Sequence, residues 1–277
     1  MPTVAEKRRA LRALHESGCF VIPNPWDVGS ALYLQSLGFK ALATTSSGAA
    51  WSMGFADGAV PLPAMLAQFA ALVEATDVPV NADFLDGFAV EPEGVAANVT
   101  RCVATGVAGL SIEDSTRDTP TLEFDLAVDR IRAARAAIDT AGGDTLLVAR
   151  SEVFLQKHPG PLKEAIRRLV AFAEAGADCL YAPGAATRDD IRAIVEAVAP
   201  KPVNVLARNL GGLTMRDLAA MGVRRVSVGG LLARMAWAGL ERAAHELMDA
   251  GTFTAFADAA PGDRINALFA GRDGGVA

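Results

Sequence analysis

The sequence predicts a (β/α)8 TIM barrel with additional helices at both ends of the chain. Eight short apolar segments recur with an average spacing of about 30 residues, and helical patterns lie between them. The segments lack polar alternation, which is typical of strands that are buried on both faces of a parallel sheet. The 277 residues are enough for one such barrel, and a hydrophobic content of 51% excludes a disordered chain.

The strands and the helices between them follow in order along the chain. The strands are predicted within residues 19–24, 36–45, 79–83, 104–114, 145–150, 174–184, 202–206 and 220–230. The helical patterns cover residues 64–76, 91–105, 123–140, 161–175, 186–198 and 214–221. Four of the strands follow a helical segment that ends in a glycine, the residue type that closes helices in a left-handed conformation: Gly38, Gly106, Gly176 and Gly222.

A doubly wound open sheet is the alternative fold. That fold needs a glycine-rich phosphate-binding turn after its first strand. The residues at this place are Asn24, Pro25, Trp26 and Asp27, which do not form such a turn. No linker or low-complexity segment divides the chain, so we expect residues 1–277 to form a single domain.

Composition and charge limit the possible partners. A net charge of −6 argues against a nucleic-acid-binding face. No apolar stretch approaches the ~20 residues of a membrane span, and the N-terminus lacks the apolar segment of a secretory signal. The three cysteines lie far apart in apolar runs, which is typical of buried thiols. We therefore expect a cytoplasmic protein with a small-molecule partner.

Polar residues at the carboxyl ends of the strands are the candidates for a functional site, because barrel enzymes build their active sites there. Acids dominate among them, and no histidine lies within a strand. The candidates include Asn24, Trp26, Thr45, Ser47, Asp57, Asp83, Asp86, Glu113, Arg150, Glu152, Tyr181 and Asn204. Trp26 lies where a pocket wall is expected.

Asp83 and Glu113 end neighbouring buried strands, so the barrel brings the two carboxylates together. Such a pair needs a neutralising partner, and a hard divalent cation such as Mg²⁺ supplies one. The surroundings are poor in histidine and thiolate ligands, which argues against zinc. A purely structural hydrogen-bonding role is the alternative for both acids.

Arg150 and the segment after the second strand are the candidates for binding an anion. The planar guanidinium of Arg150 suits a carboxylate or phosphoryl group, although ion pairs with Glu113 or Glu152 explain the residue equally well. Residues 47–49 (Ser-Gly-Ala) are predicted to form a turn that offers backbone N–H groups and a hydroxyl to an anion. A purely structural turn is the alternative.

With these residues placed, the sequence resembles the isocitrate lyase/phosphoenolpyruvate mutase superfamily over most of its length. The resemblance depends on five segments taken together and in this order, namely residues 24–58, 79–88 (PVNADFLDGF), 109–115 (GLSIEDS), 147–155 (LLVARSEVF) and 173–184 (AEAGADCLYAPG). It implies a Mg²⁺-dependent barrel enzyme that acts on small 2-oxo or 2-hydroxy acids, cleaves C–C or rearranges C–P bonds, and forms an enolate.

The resemblance also implies roles for individual residues. Asp83 matches the direct metal ligand of the superfamily, and Glu113 matches a ligand that acts through water. Asp57 matches an acid near the metal-bound waters. Arg150 and three residues of the predicted turn match the groups that bind the substrate carboxylate; the three are Ser47, Gly48 and Ala49.

The sequence departs from the superfamily pattern at two places. Many members carry a second acid two residues after the first, where this chain has Leu85, so metal binding is expected to use Asp86 or water instead. The lyases carry a cysteine and lysines in the loop after the fourth strand, whereas residues 115–124 contain neither. The proton donor must therefore be another group. The candidates are Arg117, Asp118, Tyr181, His158 and a metal-bound water.

These observations favour a Mg²⁺-dependent lyase that cleaves a C–C bond of a small 2-oxo or 2-hydroxy carboxylic acid through an enolate. One alternative is a C–P enzyme of the phosphoenolpyruvate mutase or phosphonopyruvate hydrolase type. The other is a non-catalytic protein that binds a carboxylic acid. The resemblance also implies a homo-oligomer, a tetramer or a dimer, in which the C-terminal helices within residues 231–270 are exchanged between subunits.

Overall fold

Eight parallel strands form a nearly closed barrel in the computed structural model, which describes residues 1–270. The strands are β1 (Phe20–Ile22), β2 (Leu42–Ala43), β3 (Val80–Asp83), β4 (Gly109–Glu113), β5 (Leu146–Arg150), β6 (Cys179–Tyr181), β7 (Val203–Leu206) and β8 (Arg225–Ser227). Their order is β1-β8-β7-β6-β5-β4-β3-β2, and a hydrogen bond of 3.0 Å from Ala43 N to Pro23 O joins the two end strands. The predicted (β/α)8 TIM barrel is confirmed.

Helices connect the strands and also precede β1. They are α1 (Val4–Glu16), α2 (Val28–Ser36), α3 (Ser46–Ser52), α4 (Leu62–Ala75), α5 (Pro92–Ala104), α6 (Phe124–Thr140), α7 (Pro161–Glu174), α8 (Arg188–Val198) and α9 (Met215–Ala220). All six predicted helical patterns are present. The four predicted helix-closing glycines have positive φ angles between 87° and 105°.

The amino-terminal end of the barrel is closed by α1. Leu11 of this helix is fully buried and packs in one cluster with strand residues such as Ile22, Val148 and Cys179. Lys7 of the same helix is buried and donates hydrogen bonds to the carbonyl groups of Val73 and Thr76. Because this end is closed, the opposite end, where the strands terminate, is the one open to a ligand.

Residues 1–230 form one compact unit, and a second unit begins at Leu231. The second unit contains α10 (Leu231–His245), a π-helical turn (Glu246–Ala250), a 3-10 turn (Thr254–Asp258) and α11 (Gly262–Phe269). Several large apolar side chains of this unit are exposed: Met235, Trp237, Leu240, Met248 and Phe253. Exchange of these helices between subunits stays a prediction. No helix within residues 1–270 is long and apolar enough to span a membrane.

The burial of His15 in α1 is expected to make the stability of the fold depend on pH. Its ring is buried, its Nδ1 lies 2.8 Å from Leu11 O, and its Nε2 has no hydrogen-bond partner within residues 1–270. Burial, with repulsion from Arg225, lowers the pKa of His15 to about 4. The unfolded chain therefore binds the proton first as the pH falls below the ordinary histidine pKa of about 6.5.

We expect this histidine to reduce the free energy of unfolding as the pH falls from about 6.5 to about 4, by at most about 3 kcal/mol. Urea unfolding of His15→Leu across this range should lack that component. His158→Leu, which removes a partly exposed loop histidine, is the matched control. Identical pH profiles for His15→Leu and the unmodified protein would contradict the prediction.

Candidate active site

A cavity of about 290 Å³ lies at the carboxyl ends of the strands. Its volume is close to the lower end of the range for ligand pockets, about 300–1,000 Å³, so it suits a small molecule. Nine of the twelve candidates named from the sequence line it: Asn24, Thr45, Ser47, Asp57, Asp83, Glu113, Arg150, Glu152 and Tyr181. These residues come from six successive strands, β1 to β6, or from the segments that follow them, and the barrel brings them together.

Arg150 lies at the centre of the acidic cluster. Its Nη1 is 2.9 Å from Asp83 Oδ1 and 2.8 Å from Glu113 Oε1, and its Nε is 2.9 Å from Glu152 Oε1. Its guanidinium also lies 5.2 Å from the centre of the Tyr181 ring. The sequence left open whether Arg150 forms ion pairs, and the structure contains three. Its Nη2 has no hydrogen-bond partner among residues 1–270, so the residue also retains a donor for a ligand.

Asp83 is fixed by contacts to both of its carboxylate oxygens. Oδ1 accepts from Arg150, and Oδ2 accepts a hydrogen bond of 2.9 Å from Ser46 N. The backbone N–H of Asp83 donates to Thr44 Oγ1 at 2.8 Å. Glu113 is fixed through its backbone, because its carbonyl accepts a hydrogen bond of 3.0 Å from the buried Arg130. The two carboxylates are therefore held in place before any ligand binds.

The cavity has more negative than positive groups. It is lined by four acids and by two arginines, Arg150 and Arg225. Burial raises the pKa of Glu113 to about 8, and the nearby Glu152 and Asp83 act in the same direction against the opposing effect of Arg150. Burial and the charge of Asp83 also raise the pKa of Asp57. A bound cation would offset this excess of negative charge.

The residues present fit a magnesium ion. Mg²⁺ prefers carboxylate oxygens and usually keeps several water or substrate ligands, so one or two protein carboxylates suffice. Asp83 and Glu113 provide these oxygens, and Asp57 lies on the same cavity wall. Residues 1–270 contain no cluster of three or more His, Cys, Asp or Glu side chains that could hold a metal by itself. The donor set therefore suits a hydrated Mg²⁺ that shares its ligands with a substrate.

The predicted turn at residues 47–49 is instead the first turn of α3. Thr45 caps this helix, since its hydroxyl accepts a hydrogen bond from Gly48 N. Ser46 and Ser47 line the cavity, whereas Gly48 and Ala49 are buried beneath them and do not. The prediction of a turn was therefore wrong. The contact with the cavity comes from the two serines.

Three other predicted residues do not line the cavity. Trp26 lies two residues after Asn24, which lines the cavity, but Trp26 itself does not line it. The backbone carbonyl of Trp26 accepts a hydrogen bond from the Gln68 side chain. Asn204 is buried below the surface and donates to Ser227 Oγ at 3.0 Å. Asp86 caps a turn, because its Oδ1 accepts a hydrogen bond of 2.9 Å from Phe88 N.

Asp86 faces a neighbouring cavity of about 500 Å³, which also contacts Asp57, Leu85, Glu113 and Arg117. Leu85 lies between the two cavities and has a positive φ of 49°. This backbone conformation turns the chain after β3. The side chain of Asp86 therefore does not join Asp83, Glu113 and Glu152 in the cluster around Arg150. Whether Asp86 contacts a metal stays a prediction.

The loop at residues 115–124, which follows β4, is anchored at both ends. Leu122 N donates to Asp114 O at 2.8 Å, and Arg168 of α7 contacts both Asp114 Oδ2 at 3.3 Å and Leu122 O at 2.9 Å. Asp114 also accepts a hydrogen bond of 2.7 Å from Glu152 N. Of the predicted proton donors, Arg117 lines the neighbouring cavity and Tyr181 lines the main one.

Arg225 is a site residue that the sequence analysis missed. It lies in β8, is only 3% exposed and lines the cavity. A signal for it was present, because Arg224 and Arg225 are consecutive in a predicted strand. Successive side chains of a strand point to opposite faces, so one of the two arginines had to point into the barrel.

Comparison with known proteins identifies relatives over most of the chain. Residues 11–248 match the family model described as phosphoenolpyruvate phosphomutase. An uncharacterized protein of Mycobacterium tuberculosis is 34% identical over 233 residues, which cover 84% of this chain and 85% of the relative. The 2,3-dimethylmalate lyase of Eubacterium barkeri is 30% identical over 239 residues, which cover 80% of this chain and 78% of the relative.

Solved structures agree with this result. A candidate lyase/mutase from Burkholderia cenocepacia is 46% identical and superimposes with a TM-score of 0.92 over 98% of both chains. A phosphonopyruvate hydrolase in complex with oxalate and Mg²⁺ is 25% identical, with a TM-score of 0.83 over 95% of this chain and 94% of the other. The fold, the family model and the relatives agree, and the chain therefore belongs to the phosphoenolpyruvate mutase/isocitrate lyase superfamily of lyases and mutases.

Proposed function

We propose that the protein is a Mg²⁺-dependent lyase that cleaves a C–C bond of a small 2-oxo or 2-hydroxy carboxylic acid. The observation that carries this proposal is the pair of preplaced carboxylates, Asp83 and Glu113, which contact the same nitrogen of Arg150 in a cavity of about 290 Å³. The relative from Eubacterium barkeri, described as 2,3-dimethylmalate lyase, supports the C–C lyase class. The phosphonopyruvate hydrolase complex with oxalate and Mg²⁺ supports the metal.

The residues of the cavity divide into three roles. Asp83 and Glu113 would hold Mg²⁺, with Asp57 binding its water ligands. A metal ion at this position supplies Lewis-acid stabilisation of negative charge on the 2-oxygen of the substrate. Arg150, through its free Nη2, binds and orients the substrate carboxylate together with the Ser47 hydroxyl at the start of α3.

Tyr181 is the group best placed to supply a proton. Its ring lies against Arg150, its side chain lines the cavity, and burial raises the pKa of its hydroxyl to about 12. It therefore stays protonated at neutral pH and can donate to carbon or oxygen at the end of the reaction. Arg117 lines only the neighbouring cavity.

Binding of Mg²⁺ and oxalate provides the direct test. Oxalate resembles the enolate of a 2-oxo acid, and we expect the two ligands together to raise the melting temperature by about 5 °C or more at saturating concentrations. Each ligand alone should have a smaller effect. No joint shift would contradict the proposal.

Turnover of oxaloacetate, 2-methylisocitrate and phosphonopyruvate then separates the reaction classes. Release of a C–C cleavage product supports the lyase. Release of phosphate from phosphonopyruvate, or its conversion to phosphoenolpyruvate, would instead identify a C–P enzyme of the hydrolase or mutase type. Joint binding without any turnover of a wider panel of 2-oxo and 2-hydroxy acids would identify a carboxylic-acid-binding protein.

A further inference from the structure

Arg225 is a buried cation without an acidic partner. Its Nε donates to Asn204 Oδ1 at 3.0 Å, and its Nη1 donates to Asn81 Oδ1 at 3.2 Å. Among residues 1–270 it forms no ion pair, whereas Arg150 forms three in the same cavity. Two neutral amides thus fix the guanidinium without bringing a negative charge into contact with it.

The burial of this charge is unfavourable for the stability of the fold. A buried charge that lacks an opposite charge destabilises a folded protein, and burial correspondingly lowers the pKa of Arg225. The amides are themselves held in fixed orientations, since Asn204 Nδ2 donates to Ser227 Oγ at 3.0 Å and Asn81 Nδ2 donates to Ala82 O at 3.0 Å. The two amides are therefore held with their oxygens directed at the guanidinium of Arg225.

Arg225 lines the ligand cavity. Its Nε and Nη1 donate to the two amides, whereas Nη2 has no hydrogen-bond partner among residues 1–270 and is left for a ligand. A ligand that enters from the carboxyl ends of the strands meets Arg150 in contact with three acids, and Arg225 with no carboxylate of residues 1–270 at ion-pair distance.

We infer that Arg225 is a specificity-determining residue, which binds a second carboxylate of the substrate and so makes the site selective for dicarboxylic 2-oxo or 2-hydroxy acids. This inference rests on the proposed function, in which Arg150 and the metal site bind the first carboxylate. The single positive charge of Arg225 matches the single negative charge of a carboxylate, and a charged hydrogen bond in a buried site discriminates strongly against an uncharged group of the same size.

Malate and 2-hydroxybutyrate provide a matched pair of probes, because the second carboxylate of malate is replaced by a methyl group in 2-hydroxybutyrate. Calorimetric titration with Mg²⁺ present should show that the unmodified protein binds one enantiomer of malate at least about tenfold more tightly than 2-hydroxybutyrate. In Arg225→Met this preference should fall to nearly onefold, while the affinity for oxalate, which needs only the metal end of the site, stays within about threefold.

Two further variants keep the test decisive if Arg225→Met does not fold. Asn204→Asp places a carboxylate against Arg225 Nε without removing the arginine, and it should also abolish the preference for malate. Arg225→Lys retains the charge and should keep part of that preference. Arg224→Met is the matched control: Arg224 bonds to Gly18 O at 3.1 Å on the outside of the barrel, and its loss should leave the preference unchanged.

The outcomes separate this inference from the proposed function. If oxalate and Mg²⁺ fail to bind the unmodified protein, the proposed function is wrong. If oxalate binds but the malate preference is absent, or persists in folded Arg225→Met, only the role of Arg225 is overturned. An equal loss of affinity for malate, 2-hydroxybutyrate and oxalate would assign Arg225 to the framework of the barrel instead.

Discussion

Asp83→Asn is expected to abolish both turnover and the joint stabilisation by Mg²⁺ and oxalate. The change removes the charge that would bind the metal, and a lost metal or charge-stabilising group reduces turnover by about 10³-fold or more. Both carboxylate oxygens of Asp83 accept hydrogen bonds, one from Arg150 Nη1 and the other from Ser46 N. The side-chain amide of asparagine has only one oxygen, so its NH2 group would face one of these two donors and lose that hydrogen bond. Melting curves and turnover of the substrate found in the panel provide the measurement.

Asp86→Asn is the matched control for this variant. The Oδ1 of an asparagine can still accept the hydrogen bond from Phe88 N, so the turn after β3 is retained. If the metal depends on Asp83 and Glu113, Asp86→Asn should keep most of the turnover and the full joint shift. Equal losses in the two variants would show that Asp86 is a metal ligand, and survival of turnover in Asp83→Asn would contradict the assigned site.

Arg150→Met is expected to destabilise the fold more than any other single change in the cavity. It removes the positive charge that contacts Asp83, Glu113 and Glu152, whose side chains are each at most 17% exposed. Removing one partner of a buried ion pair costs about 3–5 kcal/mol, because the remaining charges lose their compensation. We expect a loss of this size in the free energy of urea unfolding in buffer without divalent ions.

Mg²⁺ should restore part of this stability, because a cation at the same carboxylates replaces some of the lost charge compensation. The gain on adding Mg²⁺ should therefore be larger for Arg150→Met than for the unmodified protein. Arg12→Met is the control, since Arg12 pairs with Asp178 at a side-chain exposure of 42% and Asp178 keeps its contact to Arg135. A loss below about 1 kcal/mol, which is typical of exposed pairs, would contradict the prediction for Arg150.

The framework of the barrel could be predicted because its signals are local. An apolar segment without polar alternation indicates a doubly buried strand, and a glycine after a helical pattern indicates a left-handed helix end. Both kinds of signal depend on consecutive residues alone. The order of the strands then follows from the fold, and with it the meeting of Asp83, Glu113 and Arg150 at one end of the barrel.

The directions of individual side chains were harder to predict, because they depend on the stagger of the strands and on the backbone of the loops. Leu85 adopts a positive φ, a conformation that leucine rarely takes, and no local pattern announces it. Thr45 starts α3 directly after β2, so two of the residues expected in a turn are buried in a helix. Arg225 could not be found among the strand ends, because it is the first residue of β8 and its long side chain reaches the cavity from there.

The anchoring of the loop after β4 has a consequence for how this barrel can change during evolution. Asp114, Leu122 and Arg168 close the loop at its base, and the Ser115 hydroxyl contacts Glu113 Oε2 at 3.4 Å. The six residues at 116–121 lie beyond these contacts and can be replaced while β4, α6 and the carboxylates keep them. The outer part of this loop can therefore be exchanged while Asp83, Glu113 and Arg150 keep their contacts. A chain of this kind can acquire a different reaction by substituting one short surface segment, while the residues that stabilise the fold remain the same.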